Sequence, residues 1–246
     1  MILLLDAGNT RIKWSWLRDG LSSPPRACPH RDLSPLTTEY LAHRPQHILA
    51  CNVAGEAIQY KLEHALRRQP IRWITPTAYG GGIRNGYQDP KRLGPDRWAA
   101  AIGAAHYWPK EDCLVVCAGT ALTVDRLRAE GLFEGGSISP GLQLMRQSLD
   151  SGTARLGRPD GQWKAAPTNT ADAITTGCIN ALTGSIQKAA EVFAADIGHP
   201  PRILLSGGDA RLLGQYLLGQ VMTVDNLVLA GLAILSADPP PKDEDE

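Results

Sequence analysis

Apolar positions along the chain fall into short runs of strand length and longer stretches with helical spacing. Ile2–Leu5 is a continuous apolar run, read as a buried strand, and Arg11–Leu17 (RIKWSWL) alternates with the period of two of a half-buried strand, Asp19-Gly20 marking a hairpin turn after it. Pro24, Pro25, Pro29 and Pro35 make Leu21–Pro35 irregular. Gln46–Asn52 reads as a buried parallel strand, Gly55–Gln69 as a helix with Ala57, Ile58, Leu62, Ala65 and Leu66 on one face, and Arg72–Thr75 as a short strand. Pro95–Tyr107 is a helix with proline in its first turn, followed by a polar stretch, Trp108–Asp112. Leu114–Val116, Thr123–Arg128 and Ser137–Ser139 are strands, and Gly141–Ser148 is a helix. Thr170–Phe193 is a long helix expected to bury Ala173, Ile174, Ile179, Leu182 and Ile186, and Asn226–Leu235 is a final apolar helix.

Two of these segments share one plan, an apolar run leading into a turn of small residues. Leu3–Thr10 aligns without gaps on Leu114–Ala121, which sets Asp6 over Cys117 and Gly8 over Gly119. A third variant, Arg202–Leu213 (RILLSGGDARLL), again places a Gly-rich turn after an apolar strand. Hairpin strands mixed with buried parallel strands, with helices between, predict two α/β halves with mixed sheets. The expected division is 1–109, 110–237 and a proline-rich then acidic tail, 238–246, outside the fold.

Composition narrows the partners. The 246 residues carry 25 Lys+Arg against 25 Asp+Glu, so no basic surface points to nucleic acid. With 43% hydrophobic and 20% charged residues, the chain is expected to bury a core. Cys28, Cys51, Cys113, Cys117 and Cys178 contain no CxxC pair and no zinc-finger spacing, which fits a reduced interior. The N-terminal run stops at Asp6 without a basic leader, and no stretch reaches the roughly 18 apolar residues of a membrane span. No membrane association and a cytoplasmic location are therefore expected.

The chemistry has to come from the turns. No GxxxxGK[ST], GxGxxG or HExxH is present. The two strand–turn segments remain, and glycine lets a backbone approach phosphate while N–H groups and threonine hydroxyls donate to its oxygens. Asp6 is placed to hold a hydrated Mg²⁺ beside such phosphates. Each turn taken alone also reads as an ordinary glycine turn after a buried strand; two in one register favour the phosphate reading.

Six segments carry a more specific resemblance: DAGNTRIKW from Asp6, RNGYQDPKRLGPDRW from Arg84, CAGTALTVD from Cys117, GGSISPGLQLM from Gly135, NTADAITTG from Asn169 and LLSGGDA from Leu204. In this order they resemble type III pantothenate kinases over nearly the whole chain. That family belongs to the superfamily of acetate and sugar kinases, actin and heat-shock chaperones. The resemblance implies a duplicated ribonuclease-H-like, actin-like ATPase fold around a central nucleotide cleft. It also implies ATP-dependent phosphorylation of pantothenate to 4'-phosphopantothenate, the first step of coenzyme A synthesis, in a homodimer joined through the long helix of the second half.

The same resemblance assigns residues. Asp96 in GPDR is the base for the pantothenate hydroxyl, and Tyr87, Gly94, Pro95, Arg97 and Thr170 join it in the substrate pocket, Arg97 suiting the pantothenate carboxylate. Asp6, Ala7, Gly8, Asn9, Thr10, Arg11, Ile12 and Lys13 form the first ATP phosphate segment and Thr120 belongs to the second; Gly207 and Gly208 match the turn near adenosine. On residue type alone, Arg97 also reads as a surface ion pair, Lys13 as an exposed strand charge, Thr170 as a helix cap, and Gly207-Gly208 as a tight strand-to-helix turn. Many family members carry aspartate where this chain has Cys117, a position tied to an activating K⁺ or NH₄⁺. A thiol is a poor ligand for such ions, and Asp125 or backbone carbonyls are the available substitutes. Cys117 itself is expected to be a small packing residue. The competing reading is a regulatory or accessory binding protein on the same fold with impaired catalysis.

Overall fold

The computed structural model describes residues 1–152 and 160–238. They divide into two compact units: Met1–Lys110 with Glu130–Phe133 and the described residues from Asn226 onward, and Glu111–Ala129 with the described residues of Glu134–Asp225.

The first unit is built on a mixed sheet. β1 (Ile2–Ala7) pairs antiparallel with β2 (Arg11–Arg18) and parallel with β5 (His47–Asn52), which pairs parallel with β6 (Ile71–Trp73). Leu3, Leu4 and Leu5 are fully buried, as a central strand covered on both faces requires. On β2, Trp14 and Trp16 point to one face, and both indole N–H groups donate to Glu39 Oε2, at 3.0 and 2.9 Å. Glu39 lies on α1 (Ser34–His43), so two neighbouring tryptophans tie that helix to the sheet. The unit also holds α2 (Glu56–Ala65) and the hairpin of β7 (Tyr79–Gly80) and β8 (Ile83–Asn85), whose Asn85 pairs with Phe133 at the start of β11 (Leu132–Pro140).

Two helices meet closely in this unit. α3 (Pro95–Tyr107) and α7 (Leu227–Leu235) approach until a Cβ on Gly103 would lie 2.5 Å from Leu227 O, and one on Gly231 1.8 Å from Ala99 O. Glycine at both crossings is what allows the contact. The final helix therefore belongs with residues 1–110, not with the expected 110–237 segment.

The second unit repeats the plan. β9 (Cys113–Ala118) pairs antiparallel with β10 (Ala121–Leu127) and parallel with β12 (Arg202–Ser206), which pairs parallel with β13 (Val221–Thr223). These four strands match β1, β2, β5 and β6 in order and direction. Against them pack α5 (Thr170–Ile197) and the shorter α4 (Leu142–Gly152) and α6 (Ala210–Gly214), with Leu114, Val116, Ile179, Leu182 and Phe193 in the core. The architecture is α/β with two mixed sheets, the duplicated plan that the repeat predicts.

Several sequence expectations change. Leu21–Pro35 is not irregular: it contains β3 (Leu21–Ser22) and β4 (Arg26–Pro29), and β4 pairs antiparallel with β2. Pro24 and Pro25 precede β4 and Pro29 ends it, where no ladder N–H is needed, Cys28 within it is buried, and Pro35 lies in the first turn of the following helix. α2 stops at Ala65 because Arg67 and Arg68 turn to positive φ, 54° and 56°. α5 buries Ile174, Ile179, Leu182 and Ile186 as its spacing predicts, but Ala173 is exposed. Of the expected tail, Asp238 is tied to the fold, its Oδ2 accepting from Gly81 N at 3.0 Å and its carbonyl from Arg72 at 2.9 Å. The remaining tail residues, 239–246, lie outside the described residues.

Candidate active site

The first unit gathers the predicted carboxylates. Asp6, next to the end of β1, is 4% exposed, and its register neighbours are Lys13 on β2 and Cys51 on β5. Lys13 Nζ lies 3.6 Å from one carboxylate oxygen, and the Cys51 Sγ–H points to the other at 3.6 Å. Burial pushes the Asp6 carboxyl above its ordinary range, with the Lys13 charge opposing. Burial also drives the Cys51 thiol well above its usual value, helped by the charges of Asp6 and Asp96, so this sulfur stays protonated and donates. Cys51 escapes a sequence reading because parallel-strand register is not written locally.

Asp96 sits in the first turn of α3. Its Oδ1 accepts from Arg97 N at 2.8 Å, and a Cβ on Gly94 would fall 2.8 Å from that oxygen. Gly94 therefore leaves the space in which the carboxylate folds over the helix end, while Pro95 supplies the preset first-turn φ. Burial raises the Asp96 pKa, the helix-end N–H of Arg97 lowers it, and the Asp6 charge raises it again. Asp6 and Asp96 thus share one electrostatic neighbourhood.

Arg97 is no surface charge. It is 5% exposed, donates from Nη1 to Tyr87 Oη at 2.7 Å, and stands 5.5 and 5.9 Å from the ring centres of Tyr87 and Phe133. Tyr87 and Arg97 come together as the motif suggested. Phe133, brought by the β8–β11 pairing, carries no motif that could have announced it.

The residues of the first phosphate segment divide by burial. Ala7 and Ile12 are fully buried, which leaves only their backbone for a ligand, whereas Asn9, Thr10 and Arg11 are exposed. Gly8 has no positive φ, and a Cβ there would meet only ordinary contacts, 3.5 Å from Arg11 O. Gly119, its counterpart in the second unit, is equally unconstrained, with 3.9 Å to Ala121 O. The fold accepts alanine at both places, so packing within the protein does not account for either glycine.

Within the second unit, the turn after β9 is backed by glycines that packing does require. A Cβ on Gly141 would lie 2.0 Å from Gly119 O, and one on Gly207, φ +106°, 2.2 Å from Ala118 O. The tight-turn reading of Gly207 holds in this structure; Gly208 has open space. Thr120 lies in the β9–β10 turn. Cys117 is half-exposed and faces away from the core that receives Val116 and Ala118, so it is not the buried packing residue expected. Opposite it, Thr123 Oγ1 is buried without a hydrogen-bond partner among the described residues. Asp125, two residues on, is 2% exposed.

Thr170 is also in this unit. Asn169, not Thr170, caps α5, its Oδ1 accepting from Asp172 N at 2.9 Å. Thr170 is exposed and borders a cavity of about 830 Å³ between α4 and α5, together with Met145, Leu149 and Gly177.

Comparison with known proteins places these features in a family. Residues 2–192 match the family model described as "Type III pantothenate kinase". The chain is 50% identical over 240 residues to a type III pantothenate kinase from Laribacter hongkongensis, covering 96% of this chain and 98% of that one. It is 44% identical over 243 residues to one from Aromatoleum aromaticum, covering 97% and 98%. Among solved structures, it resembles a protein from Sinorhizobium meliloti described as a 2-dehydro-3-deoxygalactonokinase, with a TM-score of 0.58 at 16% identity, covering 96% and 98%. That likeness shows the fold, the actin-like ATPase and sugar-kinase class.

Proposed function

Because the chain belongs to the type III pantothenate kinases and is an ATP-dependent kinase of pantothenate in coenzyme A synthesis, we propose that Asp96 is the general base of its phosphoryl transfer. The observation that carries this is the carboxylate held over the first turn of α3 by Gly94 and Arg97 N, in the electrostatic reach of Asp6. Phosphoryl transfer asks little covalent chemistry of a protein, so one carboxylate that accepts the hydroxyl proton, with fixed donors and cations, accounts for most of it. The competing accessory-protein reading is not favoured.

The other roles belong to the same reading. Arg97, clamped by Tyr87 and Phe133, presents a rigid cation suited to the pantothenate carboxylate, with Gly94 and Pro95 shaping the wall beside it. Thr170, exposed at the start of α5, is assigned to the same substrate. The kinase uses ATP and a divalent metal. The buried Asp6 carboxylate beside Lys13 fits a hydrated Mg²⁺, which when bound neutralises phosphate charge. Gly8 to Lys13 and Thr120 supply backbone N–H groups, hydroxyls and one ammonium for phosphate oxygens.

For the monovalent cation, Thr123 Oγ1 and Asp125 are the oxygens that would serve K⁺ or NH₄⁺ next to Cys117. The homodimer is assigned to the α5 surface, where the cavity lined by Met145, Leu149 and Gly177 presents apolar and small residues. A cytoplasmic site is supported by five cysteines, none of them in a disulfide. No helix among the described residues is long and apolar enough to cross a membrane.

Pantothenate-dependent ADP release from Mg²⁺-ATP tests the assignment, run on the wild type and on Asp96→Asn. Loss of turnover with nucleotide binding retained supports the base; unchanged turnover removes Asp96 from that role.

A further inference from the structure

β4 ends at Pro29, which pairs with Arg11, and so the next residue, His30, is delivered beside the turn that follows β1. His30 Nε2 lies 2.8 Å from Gly8 O. A carbonyl can only accept, so Nε2 carries the proton and donates. The backbone of His30 is held in turn, because Lys61 on α2 donates from Nζ to its carbonyl. A chain of contacts thus runs from α2 through His30 to the turn.

The consequence lies in the peptide plane between Gly8 and Asn9. This bond is trans, so its C=O and N–H point in opposite directions, and tethering Gly8 O fixes the direction of Asn9 N–H. Gly8 itself imposes no direction, having neither positive φ nor crowding. Asn9 lies outside the β1–β2 ladder, and the hydrogen bonds among the described residues do not use its N–H. An N–H aimed away from His30 in an exposed glycine turn is suited to an anionic oxygen.

We propose that His30 is a positioning residue for nucleotide binding, holding the first phosphate turn so that Asn9 N–H faces a phosphate oxygen; this rests on reading residues 6–13 as a phosphate segment. His30 never touches the nucleotide. Its effect passes through Gly8, and it therefore falls on ATP and not on pantothenate.

Calorimetric titration of the full-length protein with Mg²⁺-ADP tests this, together with amide NMR of the nucleotide-free protein. His30→Phe keeps a ring and removes the donor. It is expected to bind Mg²⁺-ADP about 3- to 10-fold more weakly, to raise KM for ATP in step, and to leave KM for pantothenate unchanged. His30→Gln keeps a donor and should recover most of the affinity. The Asn9 amide resonance should move in His30→Phe and return toward its place in His30→Gln. His30→Ala, which adds no bulk, must show the same loss, and wild-type affinity in either donor-free variant overturns the proposal. Gly8→Ala separates the two readings: unchanged Mg²⁺-ADP affinity there rejects the phosphate turn itself, whereas loss in Gly8→Ala with normal binding in His30→Phe rejects only the role of His30.

Discussion

Asp6 and Cys117 hold the same place in the two repeats. Each is the next-to-last residue of its central strand, flanked on the antiparallel side by Lys13 or Thr123 and on the parallel side by Cys51 or Ser206. One repeat thus sets a carboxylate beside an ammonium, and the other sets a thiol between two hydroxyls. The duplicated frame is the same in both copies, and only one of them carries charge at this place.

Adding charge to the other copy should bring cation dependence with it. Cys117→Asp is expected to increase turnover in potassium over sodium relative to the wild type, because it adds an anionic oxygen beside Thr123 Oγ1. Steady-state rates in matched KCl and NaCl decide this, and an identical ratio for both proteins would dissociate Cys117 from any cation site.

Asp96→Asn should retain the fold and nucleotide binding while lowering kcat by about 10²- to 10⁴-fold, the usual contribution of a positioned base. Melting curves and Mg²⁺-ADP titration check the first part and ADP release the second.

The pH dependence carries a definite sign. Burial raises the Asp96 pKa, and the base must be ionised, so kcat/KM should fall on the acid side at a pH above the ordinary carboxylate range. Asp6, also raised by burial, affects stability in the same window: the folded state holds its proton longer than the unfolded chain does, so stability declines as pH rises from the unfolded carboxylate pKa through the raised one. Asp6→Asn should lessen that decline and raise Tm at neutral pH. A Tm lower than wild type at pH 7 would contradict the dominance of burial.

The glycines of the first turn and of α7 should separate by role. Gly8→Ala has room and should fold normally but bind ATP roughly 10- to 100-fold more weakly, as one or two charged hydrogen bonds to phosphate are lost. Gly231→Ala meets Ala99 O and should cost at least about 1–3 kcal/mol of stability by forcing α7 off α3. Urea unfolding and nucleotide titration of both variants provide the comparison.

Most of the elements were legible because their signals are local. The leucines of β1, the alternation of β2 and the 3.6-residue spacing of α5 are consequences of backbone geometry acting on neighbours in the chain. Proline in the first turn of α3 was legible for the same reason, whereas GPDR as a motif was legible only through the family resemblance. The stretch from Leu21 to Pro35 reads as irregular because proline breaks local patterns, whereas β4 places its prolines beside or at the end of a strand that only β2 completes.

The chain's own order of residues was enough to establish the repeat and most strands and helices, since short-range sterics and burial write those patterns into neighbouring positions, and resemblance to a known family pointed to the carboxylates and their motifs. Folding decided what each group faces. Cys51 meets Asp6 only through parallel register across 45 residues, Phe133 meets Arg97 only through the β8–β11 pairing, and His30 reaches Gly8 only because β4 docks on β2. These contacts are set by packing between distant segments, which no local pattern records and which alone determine the charge, hydrogen bonding and aim of the site.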